Sequence, residues 1–147
     1  MVAVLYLVMT HTNNEGPKVT VLETEELRIP EEVQQDEAMK GYMNIALFGV
    51  DATKDSQLYK GSRSDSIMIA SINMDTGDIK LVSVYRDTYL NIGTDSYQKC
   101  NAAYSYGGAE QAVKMLNMNL DMDITNFVTV GYRGLSEVID GLGGVYI

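Results

Sequence analysis

The chain has no tryptophan, one cysteine and one histidine among its 147 residues. A single cysteine, Cys100, excludes an internal disulfide framework and offers no spacing of metal ligands. The lone histidine, His11, is far from Cys100 in the sequence, and a histidine that works at neutral pH needs positioned partners. The sequence therefore offers no Ser-His-Asp or Cys-His arrangement for nucleophilic catalysis.

Basic side chains are also scarce. Lys and Arg number 11 against 20 Asp and Glu, which gives a net charge of −9. Binding to a phosphate backbone needs clustered Lys and Arg, so this balance argues against a nucleic-acid-binding protein. It leaves room for a local basic pocket, for which Arg63 and Arg86 are the candidates. The length predicts one domain with a substantial core.

The apolar stretch at residues 1–9 has about half of the ~20 residues that a bilayer-spanning helix needs. No Lys or Arg precedes it, so it also lacks the basic region of a secretory signal. Residues 1–9 fit a buried strand or short helix, and they fit the end of a transmembrane helix equally well. The polar residues 10–17 have the composition of a linker and resemble an exit from a membrane.

Three apolar, partly β-branched runs predict strands at residues 44–50, 66–73 and 79–85. Between the second and third runs, residues 74–78 read as a hairpin turn in which Gly77 takes a positive φ. The turn makes these two strands antiparallel.

Helices are predicted around the strands. Pro30 opens a polar helix that runs to about Lys40. The remaining predicted elements are a short helix at 101–106 ended by Gly107-Gly108, a helix at 109–117, a strand at 127–130, a helix with Leu135, Val138 and Ile139 on one face, and the start of a strand at 145–147.

Charged residues stand at the ends of the three apolar runs, where ligands collect in open α/β sheets. Asp51 and Asp65, with nearby hydroxyls such as those of Thr53 and Ser64, offer the oxygen ligands that Mg²⁺ prefers. The alternative is that Asp51 caps a turn and Asp65 pairs with Arg63 on the surface.

Arg63 and Arg86 are candidate ligands for a phosphate or carboxylate, because a guanidinium group can bind either with two parallel hydrogen bonds. The alternative is that they form ordinary surface ion pairs with Asp65 and Asp87, which contribute little.

Five segments in this order and spacing resemble the LytR-CpsA-Psr family of bacterial cell-wall proteins. They are NIALFGVD at 44–51, RSDSIM at 63–68, LVSVYRDTY at 81–89, KCNAAYSYGG at 99–108 and VIDGLGGV at 138–145. The resemblance covers residues 42–147 and implies an α/β domain with a mixed central sheet flanked by helices. It implies that residues 1–10 are the remnant of an N-terminal transmembrane helix and that residues 11–41 are a linker with a short helix.

The resemblance also implies a function. Members of the family are Mg²⁺-assisted phosphotransferases, anchored in the cell membrane by a single helix with the catalytic domain outside the cytoplasm. They move glycopolymers from polyprenyl-pyrophosphate carriers to peptidoglycan. By resemblance, Asp51 and Asp65 match the metal-associated aspartates, and Arg63 and Arg86 match the pyrophosphate-binding arginines.

Within that mechanism Asp87 is predicted to orient Arg86, and Asp65 is the nearest candidate for the group that accepts the proton of the attacking hydroxyl. The other possible functions are a module that binds polyprenyl phosphate or wall polymer without turnover, and a polyprenyl pyrophosphatase.

The sequence departs from the family pattern at two places, and each departure predicts an effect. The pattern continues beyond Ile147 with further arginines, so the anion-binding half of the site is expected to be incomplete and this chain to show little or no transferase activity. Cys100 stands where an aliphatic residue is usual, which is expected to change only the packing.

Overall fold

A mixed sheet with helices forms the centre of the molecule. The computed structural model describes residues 27–52, 58, 61–93 and 95–146. The strands are β1 (Tyr42–Val50), β2 (Ser64–Asn73), β3 (Ile79–Ser83), β4 (Tyr89–Asn91), β5 (Tyr97–Lys99) and β6 (Asn126–Val130). The helices are α1 (Glu31–Gln34), α2 (Asn101–Leu120) and α3 (Tyr132–Gly141). The predicted α/β class is confirmed.

Strand β1 is at the middle of the sheet, whose order is β3-β2-β1-β6. It pairs antiparallel with β2 and parallel with β6, which makes the sheet mixed. Side chains alternate between the two faces of a strand, and one face of β1 is buried at Asn44, Ala46, Phe48 and Val50. The Phe48 ring meets the ring of Tyr104 from α2 edge to face, with centroids 5.4 Å apart. This face and α2 therefore form the core.

The predicted hairpin between β2 and β3 is confirmed. The Asn73 side chain accepts hydrogen bonds from the backbone N–H groups of Asp75 and Thr76 at 2.9 and 3.0 Å. Gly77 has φ +75°, a conformation that costs a glycine little. Strand β3 ends at Ser83, two residues earlier than predicted, although the N–H of Val84 still donates to the carbonyl of Ile67 at 2.9 Å.

Helix α2 has the predicted break at Gly107-Gly108. Gly108 lies at φ 68°, ψ −156°, far from helical values, so the two predicted helices are parts of one kinked element. The predicted inner face is buried, with Ala112, Val113 and Leu116 at 0% exposure.

Two predictions about the chain's elements are wrong. The helix predicted at residues 30–40 ends at Gln34, because Val33 is the only buried residue of this segment and a short helix needs packing to persist. Beyond it, Asp36 accepts a hydrogen bond from the N–H of Ala38 at 2.8 Å, a local turn that competes with helix. Val145 and Tyr146 are exposed and outside any strand.

The predictions for the N-terminal region, the transmembrane remnant at 1–10 and most of the linker at 11–41, lie outside the described residues. Within the described ranges, no helix has both the length and the apolar character that crossing a membrane requires.

Asn117 carries the largest expected effect on stability. It is fully buried, and its amide donates to the carbonyls of Leu27 and Ile124 at 3.1 and 3.0 Å while accepting from the N–H of Ile124 at 2.8 Å. Each buried group left unpaired costs about 1–3 kcal/mol. We therefore expect Asn117→Ala to lower the free energy of unfolding in urea by at least about 2 kcal/mol.

The matched control for this prediction is Asn126→Ala. Asn126 is exposed, and among the described residues its amide bonds only to the neighbouring hydroxyl of Thr125 at 3.0 Å. The control is expected to change the unfolding free energy by less than about 0.5 kcal/mol. Equal losses in the two variants would show that the buried hydrogen bonds of Asn117 do not stabilise the fold.

Candidate active site

The predicted site residues lie at one edge of the sheet, where β1 ends, β2 begins and β3 ends. Val50 pairs with Ser64, so Asp51 follows the last residue of β1 and Arg63 immediately precedes the first residue of β2. The register shifts between Gly49 and Val50, since Gly49 pairs with Ser66 and Val50 with Ser64. Asp65 is thus the extra residue of a bulge, a feature that re-aims side chains near active sites.

Arg86 and Asp65 are joined directly across this edge. The Arg86 Nη1 atom lies 2.6 Å from Asp65 Oδ1, in an ion pair of which about half of each side chain is exposed. A pair so open to water contributes little to stability. The effect of this ion pair is on position, because the pair holds the Arg86 guanidinium beside the bulge of β2.

A pocket of about 310 Å³ opens between β2 and the turn after β3. It is lined by Asp65, Ser66, Ile67, Ser83, Val84, Tyr85, Arg86 and Asp87. The charged side chains at its mouth are thus an arginine and two carboxylates, beside apolar and hydroxyl groups.

Asp87 does not hold Arg86, which corrects the role predicted for it. Its carboxylate binds Lys99 instead, with Nζ 2.8 Å from Oδ1. The hydrogen bond from Lys99 holds the pKa of Asp87 below its ordinary value, although loss of hydration opposes the shift; the charges of Lys99, Arg86 and Arg63 add to it. The carboxylate is therefore charged at neutral pH, and the pair is lost only as the pH falls through that lowered pKa.

Lys99 is a site residue that the sequence reasoning missed. It is the last residue of β5, and the fold brings it to Asp87, next to Arg86. Its one sequence signal is its position at the start of the KCNAAYSYGG segment. Lys99 and Arg86, together with Arg63 at the start of β2, supply the positive charge of this edge.

Cys100 ties the turn that carries Arg86 to the start of α2. Its thiol donates to the carbonyl of Tyr85 at 3.1 Å, and the N–H of Asn101 donates to the carbonyl of Arg86 at 3.2 Å. Burial raises the pKa of the Cys100 thiol, so it stays protonated and able to donate at neutral pH. Cys100 therefore does more than alter packing, the effect expected from the sequence.

The residues around Asp51 and Asp65 fit a magnesium ion that is also held by water and phosphate. No three His, Cys, Asp or Glu side chains cluster closely enough to hold a metal in the part of the chain that the structure describes. Mg²⁺ needs fewer, since it is usually bound by one or two carboxylates together with substrate phosphates and water. Ser64 precedes Asp65 in β2 and pairs with Val50, the neighbour of Asp51, and its buried Oγ has no hydrogen-bond partner among the residues that the structure describes. The predicted contribution of Thr53 lies outside the described residues.

Comparison with known proteins gives one consistent family. The model of the LytR_cpsA_psr family matches residues 6–147. A polyisoprenyl-teichoic acid–peptidoglycan teichoic acid transferase TagU from Halalkalibacterium halodurans is 30% identical over 146 residues, covering 97% of this chain and 46% of that protein. The TagU of Enterococcus faecalis is 33% identical over 105 residues, covering 71% of this chain and 34% of that protein. The chain thus spans less than half the length of these relatives.

Solved structures show the same fold. The YwtF (TagT) protein with bound octaprenyl pyrophosphate lipid superposes with a TM-score of 0.67 at 27% identity, covering 86% of this chain and 49% of that one. TagT bound to LI-WTA gives a TM-score of 0.68 at 28% identity, covering 86% and 47%. Proteins of this fold thus include some that hold a polyprenyl pyrophosphate.

Proposed function

This chain belongs to the LytR-CpsA-Psr family, and on that premise we propose that it acts in the transfer of glycopolymers from polyprenyl-pyrophosphate carriers to peptidoglycan. The observation that carries the proposal is the Arg86–Asp65 pair at the mouth of the pocket, 2.6 Å between Nη1 and Oδ1. The family relatives named teichoic acid transferases and the lipid-bound TagT structure support the same chemistry.

The positive groups of the site suit a pyrophosphate. Phosphoryl transfer develops charge on the phosphate oxygens, and enzymes offset it with arginines, lysines and metal ions fixed in position. Arg86 and Arg63 are assigned to bind the phosphates. Lys99 lies beside them and is held in place by Asp87.

Asp51 and Asp65 are proposed to hold Mg²⁺, with the Ser64 hydroxyl close by. When bound, the ion supplies positive charge to the phosphate oxygens. Asp65 has a second task in this proposal, since its Oδ1 already accepts a hydrogen bond from Arg86 and so positions that guanidinium. Asp65 is also the candidate acceptor for the proton of the attacking sugar hydroxyl.

The cellular setting belongs to the same proposal. A polyprenyl carrier lies in a membrane and peptidoglycan lies outside the cytoplasm, so the chain is proposed to work at the outer face of the cell membrane, anchored by a helix that includes residues 1–10.

The test is a transfer assay with the whole chain, a polyprenyl-pyrophosphate-linked glycopolymer and peptidoglycan, run in Mg²⁺ and in EDTA beside the TagU of Halalkalibacterium halodurans. We expect transfer that needs Mg²⁺ and is slower than that of TagU. Binding of the lipid with no turnover would favour a binding module. Release of the glycopolymer phosphate to water with no transfer to peptidoglycan would favour a pyrophosphatase. Either result would contradict the proposal.

A further inference from the structure

The ribbon formed by β4 and β5 carries an aromatic surface that the proposed chemistry does not use. In its antiparallel register Tyr89 pairs with Lys99 and Asn91 pairs with Tyr97. Paired residues point to the same face of a sheet, and so do residues two positions apart on one strand. Tyr89, Tyr97, Lys99 and Asn91 therefore share one face of the ribbon, here called the tyrosine face.

The two tyrosines of this face are exposed and lie against each other. Tyr89 is 69% exposed and Tyr97 is 57% exposed. Their ring centroids are 6.0 Å apart, with an angle of 31° between the ring planes. The ribbon packs on the protein through its other face, where Leu90 contacts the core. The exposed rings are thus not needed to pack the ribbon against the core. They are available to contact a ligand.

The tyrosine face is continuous with the pyrophosphate site. Lys99 binds Asp87 at 2.8 Å, and Asp87 follows Arg86 in the chain. The backbone adds a second link, since the N–H of Cys100, next to Lys99, donates to the carbonyl of Thr88, next to Tyr89, at 2.8 Å. A molecule that reacts at Arg86 can therefore extend over the ribbon.

We propose that the tyrosine face binds a sugar ring of the peptidoglycan glycan strand, as the acceptor subsite of the proposed transfer. A pyranose has an apolar face of C–H groups and a rim of hydroxyls. Aromatic rings pack on the former through C–H contacts, and tyrosine hydroxyls and the Asn91 amide can bond to the latter. The inference rests on the proposed function, because it names the acceptor of that same site.

Charge favours the glycan strand over the polymer being transferred. Asp87 neutralises Lys99, and the remaining residues of the tyrosine face are uncharged. The whole chain has a net charge of −9. A polyanionic polymer such as a polyol phosphate is repelled by such a net charge, and the one cation that it meets on this face, Lys99, is already paired with Asp87. In peptidoglycan the lactyl carboxyl of each N-acetylmuramic acid can be amidated by a stem peptide, and the sugar backbone of such a strand carries no charge and meets no such barrier.

The test titrates the whole chain with a tetrasaccharide of alternating N-acetylglucosamine and N-acetylmuramic acid whose lactyl carboxyls are blocked as amides, and with a glycerol phosphate oligomer of similar length. Nuclear magnetic resonance of carbon-labelled tyrosine rings reports the contacts. We expect the tetrasaccharide to shift the ring signals of Tyr89 and Tyr97 and the glycerol phosphate oligomer to shift neither. Loss of one stacked ring weakens binding about tenfold, by analogy with base–aromatic stacking. Tyr89→Ala and Tyr97→Ala should each show that loss.

Matched variants separate stacking from folding. Tyr97→Phe keeps the ring and is expected to bind the tetrasaccharide within about twofold of the unmodified chain, since the ring makes the stacking contact. Tyr132, which is 60% exposed on α3, is the control tyrosine outside the ribbon, and Tyr132→Ala should leave the affinity unchanged. Tetrasaccharide binding that is absent, or is equally strong in all variants, overturns the inference. Preference for the glycerol phosphate oligomer overturns it too.

Geranyl pyrophosphate, titrated in parallel, reports the proposed function. If geranyl pyrophosphate binds and the tetrasaccharide does not, the acceptor subsite is wrong while the pyrophosphate site stands. If the tetrasaccharide alone binds, the pyrophosphate site is wrong.

Discussion

Arg86→Ala is expected to weaken the binding of a polyprenyl pyrophosphate by about ten- to a hundredfold, the usual range for the loss of a hydrogen bond to a charged group. The substitution has two effects of the same sign. It removes a guanidinium from the mouth of the pocket, and it leaves the Asp65 carboxylate without the partner now 2.6 Å away, so that this edge of the sheet becomes more negative. Calorimetric titration with geranyl pyrophosphate measures the affinity.

Arg86→Lys tests whether geometry matters beyond charge. Lysine keeps the charge but cannot form two parallel hydrogen bonds, so its affinity is expected to lie between those of alanine and arginine. The control is Arg133→Ala on α3, which removes the same charge where Arg133 pairs with Glu137 at 3.0 Å, and it should leave the affinity unchanged. Equal affinity for geranyl pyrophosphate with lysine or arginine at position 86 would rule out the bidentate contact.

The second large effect is expected on the affinity for Mg²⁺. Asp51→Asn and Asp65→Asn should each weaken Mg²⁺ binding at least about tenfold, since even changes around the metal ligands usually cost ten- to a hundredfold. An amide keeps one oxygen but loses the charge that a hard cation prefers. Calorimetry with Mg²⁺ in the presence of pyrophosphate measures the loss, and circular dichroism checks that the fold is intact.

The two aspartates should also differ in their effect on the position of the Arg86 side chain. Asp65 also holds Arg86, whereas the structure shows no ion pair for Asp51 within the described residues, so Asp65→Asn alone is expected to displace the Arg86 guanidinium. Asp140→Asn, at an exposed position near the end of α3, is the control of equal charge. Unchanged Mg²⁺ affinity after replacement of both Asp51 and Asp65 would contradict the metal assignment.

The sequence predicts those parts of the fold that depend on local pattern. The apolar runs at 44–50 and 66–73 predict strands because the alternation of their side chains matches the two faces of a sheet. The turn at Gly77 and the break at Gly108 follow from glycine's access to positive φ. These features need no knowledge of distant residues.

The ion pairs could not be predicted in the same way. Asp87 follows Arg86 directly, and local reasoning pairs the two. The bulge in β2 instead brings Asp65 to Arg86, and the ribbon brings Lys99 to Asp87. Strand register and long-range packing decide which residues form these ion pairs. Neither can be predicted from a short window of sequence.

The β4–β5 ribbon escaped prediction for a related reason. Each strand has only three residues, too few for alternation to distinguish strand from loop. The ribbon's stability comes from packing against α2, where the Asn119 side chain bonds to the backbone of Asn91 at 2.8 and 3.2 Å.

The most direct test of the central claim, that the edge at Arg86 binds a pyrophosphate, is nitrogen magnetic resonance of the arginine side chains during titration with geranyl pyrophosphate and Mg²⁺. The chain's arginines are Arg28, Arg63, Arg86 and Arg133, so every signal can be assigned by substitution. We expect the guanidinium signals of Arg86 and Arg63 to shift together as the ligand saturates, while those of Arg28 and Arg133 stay in place. Signals of Arg86 and Arg63 that do not move at saturating ligand would contradict pyrophosphate binding at this edge.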